Sequence, residues 1–380
     1  MSFASLRTAS FRNLADEEFT ISAKDVFLVG ENGQGKTNFL EALYICSYAS
    51  SFRGVRDGEV ARTGEKDFSA AVKLSNSLYD KILVKFEKGK KTVLLDGKQA
   101  EDRKELLDIN PCIVFCHEDM EFIAGTPERR RWFFDQNQSL CDPVYLEDLR
   151  RYRKVLKSRN TVLREAQGTS NRSPTNRASI NAVLDALDPQ LAAYGLRLME
   201  KREEAAQRFS ETFGPLYETV ADIDSIAVVY TPSWKVKNAD SEALTVLLEE
   251  RREIDFTAGI TLSGPHRDRY GFTRSGVDFS AKASTGQRRL LALLLRIAQA
   301  RRFSEMTGRK PVLLLDDVLL ELDPEKRRRL LTVMPGYDQA FYTFLPEEPF
   351  ERYRKSDTLV YAVQNGQLTA QAEGAARRGV

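Results

Sequence analysis

The sequence GENGQGKT occupies residues 30–37 and satisfies the phosphate-binding loop pattern G-x-x-x-x-G-K-[ST] at every fixed position. The apolar residues 26–29 precede it and predict a buried strand. Apolar residues at 39, 40, 43 and 44 follow and predict a helix that begins at the loop. This order directs backbone N–H groups and a helix N-terminus toward phosphate oxygens. We therefore predict a nucleotide site rather than a chance glycine-rich turn.

Hydrolysis of a bound ATP requires carboxylates in addition to this loop. Lys36 is expected to reach the β- and γ-phosphates, and the Thr37 hydroxyl to bind Mg²⁺. Residues 313–317, Leu-Leu-Leu-Asp-Asp, predict a buried strand that ends in two acids. We expect Asp316 to hold Mg²⁺ and Asp317 to act as general base or to orient water. The alternative is a strand that merely ends in a polar turn.

The middle of the chain is predicted to be helical. Two apolar seams flank the polar segment 168–176 and suggest an antiparallel helical hairpin, although two ordinary amphipathic helices on a core fit equally well. The first seam contains Leu149, Tyr152, Leu156 and Leu163, and the second contains Leu184, Leu187, Leu191, Tyr194 and Leu198. Strand-like segments occupy residues 68–74, 81–86 and 92–96 before it, with a turn at Asp96-Gly97. Because Lys36 and Asp316 are 280 residues apart, we predict a nucleotide domain split by a helical insert.

Residues 283–287, Ala-Ser-Thr-Gly-Gln, precede a long apolar helical pattern. A helix N-terminus with Ser and Gly can bind an anion. Since the chain already has a phosphate loop, we expect this second loop to contact the γ-phosphate bound by another copy of the chain.

Composition restricts the function class. Hydrophobic residues make up 42% of 380 residues and charged residues 29%, as in soluble globular proteins. No apolar run approaches the length that spans a bilayer, and no signal peptide is recognisable, so we expect no membrane contact and a cytoplasmic location. Four cysteines and two histidines make a disulfide framework or a zinc site improbable, and we expect buried thiols at Cys112 and Cys116.

Taken together, the ordered motifs GENGQGKT, STGQRRLL and LLLDDVLLELD resemble ABC-type ATPases of the SMC kind and, more narrowly, the RecF family of bacterial DNA replication and repair proteins. Further matching segments are FRN at 11–13, SFR at 51–53, TPERRR at 126–131, YRKVLKSRN at 152–160 and SGPHRD at 263–268. One departure from transporter ATPases is Thr343, which occupies the region of their switch histidine.

The resemblance implies a fold, a site and partners. The fold would be an α/β ABC-type ATPase head (residues 1–117 and 226–370) split by an all-helical arm (118–225), with a flexible tail (371–380). It implies ATP and Mg²⁺ as cofactors, weak hydrolysis, an ATP-dependent homodimer on DNA, and recombination mediator proteins as partners. The nucleotide-binding residues would be Arg12, Gly30, Glu31, Asn32, Gly33, Gln34, Gly35, Lys36, Thr37, Ser284, Gly286 and Gln287, with Lys36, Asp316 and Asp317 catalytic.

A basic helical face is the candidate DNA contact. Residues 129–164 carry ten Lys or Arg and four Asp or Glu, a local excess of six positive charges. Such a face can follow phosphates without reading bases, although a solvated helix surface is at least as probable from composition alone. The candidate residues are Arg150, Arg151, Arg153, Lys154, Lys157 and Arg159.

Three other functions share some of these motifs. A transporter ATPase subunit shares the nucleotide loops but gives no reason for a basic insert. An SMC-like head without a repair role, or one coupled to a nuclease, shares the head. A non-hydrolysing scaffold would not depend on Lys36.

Overall fold

The computed structural model describes residues 2–102, 104–168, 174–236, 240–318 and 322–371. The chain forms two compact units. The first unit combines Met1–Asp119 with Leu295–Val380, and the second unit is Met120–Leu294. The first unit is therefore discontinuous in sequence. Residues 226–294, which we assigned to the head, group with the helices in the second unit, and the functional domain boundaries stay a prediction.

An antiparallel sheet opens the first unit. Its described strands follow the order β2-β1-β4-β5-β6-β7. They are β1 (Ser2–Ala9), β2 (Glu18–Thr20), β4 (Phe68–Ser75), β5 (Lys81–Glu87), β6 (Lys90–Leu95) and β7 (Lys98–Gln99). The predicted strands at 68–74, 81–86 and 92–96 are confirmed, as is the turn at Asp96-Gly97 between β6 and β7.

A largely parallel sheet carries the motifs of the first unit. The order in its described part is β15-β14-β3-β13-β12-β8, and β15 alone is antiparallel to its neighbour. The strands are β3 (Asp25–Val29), β8 (Cys112–Phe115), β12 (Val312–Leu315), β13 (Gln339–Phe344), β14 (Leu359–Gln364) and β15 (Gln367–Ala370). β3, β8 and β12 are buried along their whole length, as their apolar sequences predict. Parallel strands end at one edge, so the phosphate loop after β3 and the acids after β12 lie at the same edge.

Helices complete the first unit. They are α1 (Lys36–Tyr48), α2 (Lys104–Leu107), α10 (Pro324–Thr332) and the C-terminal part of α9 (Thr285–Thr307), with short 3-10 helices at Asp57–Val60 and Phe350–Tyr353. Apolar residues of α1 share one core with β1, β4 and the parallel sheet. Cys112 and Cys116 are buried free thiols, as predicted.

The second unit is mainly helical. Its helices are α3 (Glu121–Ala124), α4 (Pro127–Cys141), α5 (Pro143–Gly168), α6 (Pro174–Ala221), α7 (Ser241–Glu250) and α8 (Arg252–Ala258). A small antiparallel sheet joins them, formed by β9 (Ile226–Thr231), β10 (Arg269–Arg274) and β11 (Val277–Asp278). No helix in the described ranges has both the length and the apolar character to cross a membrane.

The helices α5 and α6 form the predicted hairpin. Asp148 of α5 pairs with Arg197 of α6, whereas Arg159 pairs with Asp188, so the two helices run in opposite directions. Leu149, Tyr152 and Leu191 are buried in the core between them. Most of the polar segment predicted to connect the seams lies outside the described residues.

Candidate nucleotide site and basic helix

The phosphate loop connects β3 to α1 in the first unit. The backbone N–H of Gly30 donates to Phe344 O on β13 (3.1 Å), which ties the loop to the adjacent parallel strand. Gly35 caps α1 with a φ of 117°, a backbone conformation that favours glycine. The N-terminal N–H groups of a helix have no intrahelical acceptors, so α1 presents donors at this end of the loop.

A cavity of about 130 Å³ lies against this loop. Within the described residues its lining is mostly polar and includes two side chains to which the sequence patterns assign no role, Asn38 and Arg53. The lining residues are Glu31, Asn32, Gly33, Gly35, Lys36, Thr37, Asn38, Arg53 and Asp317. The ammonium of Lys36 donates to the carbonyl oxygens of Gly30 and Glu31 (3.2 Å for Glu31). These partners are dipoles and not carboxylates, so the two hydrogen bonds orient the ammonium without neutralising its charge.

The two acids after β12, Asp316 and Asp317, lie beside the phosphate loop. Thr37 Oγ1 donates to Asp316 Oδ1 (2.9 Å), although the two residues are 279 positions apart. Thr343 Oγ1 lies 2.8 Å from Asp317 Oδ1 and 3.2 Å from Asp316 Oδ1, and it accepts from the backbone N–H of Asp317 (2.7 Å). The structure thus brings together Lys36, Thr37, Asp316 and Asp317, as the sequence predicts.

The surroundings of Asp316 disfavour the ionised form of its carboxyl group. Burial raises the pKa of Asp316 to about 6, and the charge of Asp317 acts in the same direction, whereas the hydrogen bond from Thr37 lowers it. Among the described residues, no group of three or more His, Cys, Asp or Glu is placed to hold a metal. Asp316 and Thr37 offer hard oxygen atoms of the kind that Mg²⁺ binds, a cation that takes few protein ligands, and their role as Mg²⁺ ligands stays a prediction.

Arg12 is held away from the cavity lining by an acid. Its Nε and Nη2 donate to the two oxygens of Glu41 (both 3.0 Å), and its Nη1 donates to Glu59 O (2.7 Å). Arg53 Nη1 donates to Asn38 Oδ1 (3.0 Å) and lies 3.4 Å from the buried Glu41. Arg53 is thus the arginine that reaches the cavity in this state, and nucleotide contact by Arg12 stays a prediction.

A further carboxylate near the site has no sequence pattern that points to it. Glu348 follows β13, and its Oε2 is buried with no hydrogen-bond partner in the described part of the chain. Burial and the charge of Asp317 raise the pKa of Glu348, whereas Lys36 lowers it, which shows that the carboxyl group is within electrostatic range of both.

The second predicted anion loop belongs to the second unit. Ser284 Oγ accepts from the backbone N–H of Gln287 (3.2 Å), while Gln287 Oε1 accepts from the backbone N–H of Ser284 (2.8 Å). This reciprocal pair is a capping box at the start of α9. Ser284 and Gly286 are exposed, so a ligand from solution can reach this helix end.

The basic candidates on α5 divide into exposed and buried side chains. Arg150, Lys154 and Lys157 are spaced by four and three, so they share the face opposite the buried seam, and Lys154 and Lys157 are exposed. Exposed Arg151 pairs with Glu147 (2.7 Å), and exposed Arg153 lies 3.5 Å from Asp135.

For Arg159 the prediction is wrong. Its side chain has no exposed surface and pairs with Asp188 and Asp255, both at 2.7 Å. Thr261 Oγ1 also accepts from it (2.8 Å). A guanidinium enclosed by two buried carboxylates cannot contact DNA, so Arg159 links α5 to α6 and α8.

The segment 263–268 ends in Asp268, which belongs to a second buried arrangement. This arrangement, which we call the ion-pair centre, consists of Arg202, Asp135 and Asp268. Arg202 Nη2 donates to Asp135 (2.8 Å) and Nη1 donates to Asp268 (2.7 Å). Tyr145 and Tyr230 hydroxyls donate to the same two acids. These polar groups are satisfied by one another, which indicates a structural role.

His266, in the same segment, is partly buried and is neutral at neutral pH. His266 Nε2 lies 2.9 Å from Thr261 O, which can only accept, so Nε2 carries the proton. The Tyr152 hydroxyl, 2.8 Å from Nδ1, therefore donates to the other nitrogen. Burial lowers the pKa of His266 to about 4.

Comparison with known proteins places this arrangement in a family. The family model described as RecF/RecN/SMC N terminal domain matches residues 2–368. The chain is 43% identical over 359 residues to the DNA replication and repair protein RecF of Treponema pallidum (strain Nichols). The aligned region covers 94% of this chain and 98% of that protein. The chain belongs to the RecF family. Another RecF, from Bacillus subtilis (strain 168), is 32% identical over 97% of this chain and 100% of its own length.

Solved structures agree with the RecF assignment. The structure described as the recombination mediator protein RecF-ATP in the RecFOR pathway has a TM-score of 0.85 at 28% identity, with 97% of both chains covered. The Smc head domain with an extended coiled coil from Pyrococcus furiosus has a TM-score of 0.53 at 14% identity, with 97% and 96% covered, and shows the fold alone. The predicted ABC-type head with a helical arm is confirmed.

Proposed function

We propose that this RecF family member is an ATP-dependent DNA-binding protein of recombinational DNA repair and replication-gap repair. Two copies close on DNA when ATP is bound, and weak ATP hydrolysis reopens them. The observation that carries the proposal is the meeting of the Thr37 hydroxyl with the Asp316 carboxylate beside the cavity that Lys36 lines. Recombination mediator proteins are the proposed partners, since a solved relative is described as a mediator in the RecFOR pathway.

ATP is the proposed ligand of the cavity. The cavity is small and polar, which suits the β- and γ-phosphates, and the Lys36 ammonium that lines it is hydrogen-bonded to two carbonyl oxygens. Mg²⁺, held by Thr37 and Asp316, would offset charge on the phosphate oxygens. Asp317, positioned by the Thr343 hydroxyl, is the carboxylate that orients the attacking water.

Dimerisation follows from the second loop. Ser284 and Gly286 are exposed at a helix N-terminus, which is an anion site, and each chain also has its own phosphate loop. In the proposed dimer, Ser284, Gly286 and Gln287 of one copy contact the γ-phosphate bound by the other copy. ATP therefore closes the dimer, because the γ-phosphate completes the interface.

DNA binding is assigned to α5. Arg150, Arg151, Arg153, Lys154 and Lys157 are at least partly exposed there, and contact with phosphates would be independent of sequence. Arg151 and Arg153 also have acidic neighbours within their own unit, so Lys154 and Lys157 are the strongest candidates.

The test is the oligomeric state in solution. We expect the wild-type protein to be a dimer with a non-hydrolysable ATP analogue and DNA together, and a monomer without nucleotide. Lys36→Ala should remove nucleotide binding and dimerisation, whereas Ser284→Arg should remove dimerisation alone. A wild-type protein that binds the analogue but stays monomeric with DNA would contradict the proposed closure of two copies on DNA.

Two alternatives keep the same ATP chemistry. A transporter ATPase subunit predicts copurification with membranes, and an SMC-like head coupled to a nuclease predicts metal-dependent DNA cleavage by the purified protein. The RecF relatives, which match nearly the whole chain, favour the repair function over both.

A further inference from the structure

The hairpin formed by β14 and β15 contacts the phosphate loop. β14 pairs in parallel with β3, the strand that leads into the loop. A Cβ added to Gly30 would lie 2.3 Å from Val363 O of β14, so the strand and the loop are in close backbone contact.

The turn of this hairpin binds the centre of the loop directly. The backbone N–H of Asn365 donates to Gln34 Oε1 (2.7 Å), and that of Gly366 donates to Gln34 O (2.8 Å). Both the side chain and the main chain of Gln34 are thereby fixed by residues more than 330 positions later in the chain.

The same turn also holds a second support of the loop. Gly366 O accepts from the backbone N–H of Ala15 (2.9 Å), which is two residues after Asn13 in the sequence. Asn13 Nδ2 donates to Gly33 O (3.0 Å), and Asn13 Oδ1 accepts from Asn38 of α1 (2.7 Å). The turn, Asn13 and the loop therefore form one hydrogen-bonded assembly.

We propose that the turn Asn365-Gly366 is a positioning element for nucleotide binding, which holds the phosphate loop in its binding shape through Gln34 and Asn13. This inference rests on the proposed ATP binding. The turn contributes no residue to the described cavity lining, so it acts through the loop and not on the ligand.

Two glycines offer a matched test. Gly366 has a φ of 78°, and an added Cβ would lie 1.7 Å from Asn13 O. Gly97 has a φ of 83° in the turn Asp96-Gly97 of the same unit, and an added Cβ there would meet nothing within 4 Å. Gly366→Ala and Gly97→Ala therefore impose the same backbone strain, but only Gly366→Ala displaces the support of the loop.

We expect Gly366→Ala to raise the Kd for a fluorescent non-hydrolysable ATP analogue about tenfold or more, and Gly97→Ala to leave it within about twofold. The KM for ATP should rise in parallel while kcat at saturating ATP is retained, because Asp316 and Asp317 are untouched. A general loss of folding would instead lower the apparent kcat, with KM unchanged for the molecules that remain folded, and would appear in thermal unfolding.

Gln34→Leu is the second variant, since Gln34 is not in the described cavity lining and the change removes the side-chain acceptor of the Asn365 N–H. A Kd raised about threefold or more supports the proposal even if Gly366→Ala does not fold. An unchanged Kd in folded Gly366→Ala, or in Gln34→Leu when Gly366→Ala does not fold, overturns it. Failure of the wild-type protein to bind the analogue would overturn the proposed function, and this inference with it.

Discussion

The nucleotide cavity of the first unit and the ion-pair centre of the second unit are both built from basic and acidic side chains. At the ion-pair centre, Arg202 meets two carboxylates and is nearly fully buried, so its charge is neutralised within the protein. At the cavity, the Lys36 ammonium meets two carbonyl oxygens, which orient it without neutralising it.

This difference separates structural from ligand-binding charges. A buried ion pair whose partners are all present leaves nothing for a ligand, and removing one member strands the others without compensation. A lysine held by carbonyl dipoles retains its attraction for an anion. Variants of the two regions should therefore fail in different measurements.

The largest effect is expected from Arg202→Met. It leaves Asp268 buried without its cation and Asp135 with only the exposed Arg153 at 3.5 Å, which should lower the free energy of unfolding by about 3–5 kcal/mol. Arg208→Met is the matched control on the same helix, because the exposed Arg208 pairs with the half-exposed Glu204 and with no buried acid among the described residues. The control should change stability by less than about 0.5 kcal/mol in urea unfolding. Similar losses of unfolding free energy in Arg202→Met and Arg208→Met would mean that the ion-pair centre has no special structural role.

Lys36→Ala should change ligand affinity strongly and stability little, which is the opposite of Arg202→Met. We expect the Kd for an ATP analogue to rise about 100-fold or more, because the only flexible cation of the loop is lost. Stability should change by less than about 1 kcal/mol, since the lysine is bound only to carbonyl groups. Lys98→Ala, on exposed β7, is the control. Calorimetric titration and thermal unfolding of the same samples decide the outcome.

A pH effect should come from the second unit. The pKa of His266 is lowered from 6.5 to about 4, so the unfolded chain takes up this proton at higher pH than the folded one. Stability from this group is present at neutral pH and is lost as pH falls, by about 2 kcal/mol between about pH 7 and about pH 5. Urea unfolding across this range should show a smaller slope for His266→Gln. An unchanged slope would mean that other groups carry the pH dependence.

The smallest effect is expected on α5. Lys154→Gln with Lys157→Gln should weaken DNA binding severalfold and reduce the slope of log K against log salt by about 2. Arg208→Gln is the control, since it removes an exposed charge from α6 without touching the α5 face. Equal slopes for the two proteins would place the DNA contact elsewhere. Fluorescence anisotropy with duplexes of unrelated sequence measures both the slope and the sequence independence.

Sequence patterns alone determined the parts whose chemistry is local. The loop at residues 30–37 needs glycines and a lysine at fixed spacing, and the strand before Asp316 needs an unbroken apolar run, so both are readable without coordinates. The helices α5 and α6 are readable for the same reason, because helical periodicity is a property of the segment itself, whereas their pairing as a hairpin was left open by the sequence.

Only the tertiary structure decided which similar side chains have which role. Arg159 and Lys157 are two residues apart on one helix, yet one is enclosed by Asp188 and Asp255 and the other is exposed. The partners of Arg159 come from 29 and 96 positions away, and those of Gln34 from 331 positions away. Charge neutralisation and hydrogen bonding depend on distances in space, and the spacing of residues along a chain does not contain those distances until the strands and helices have packed.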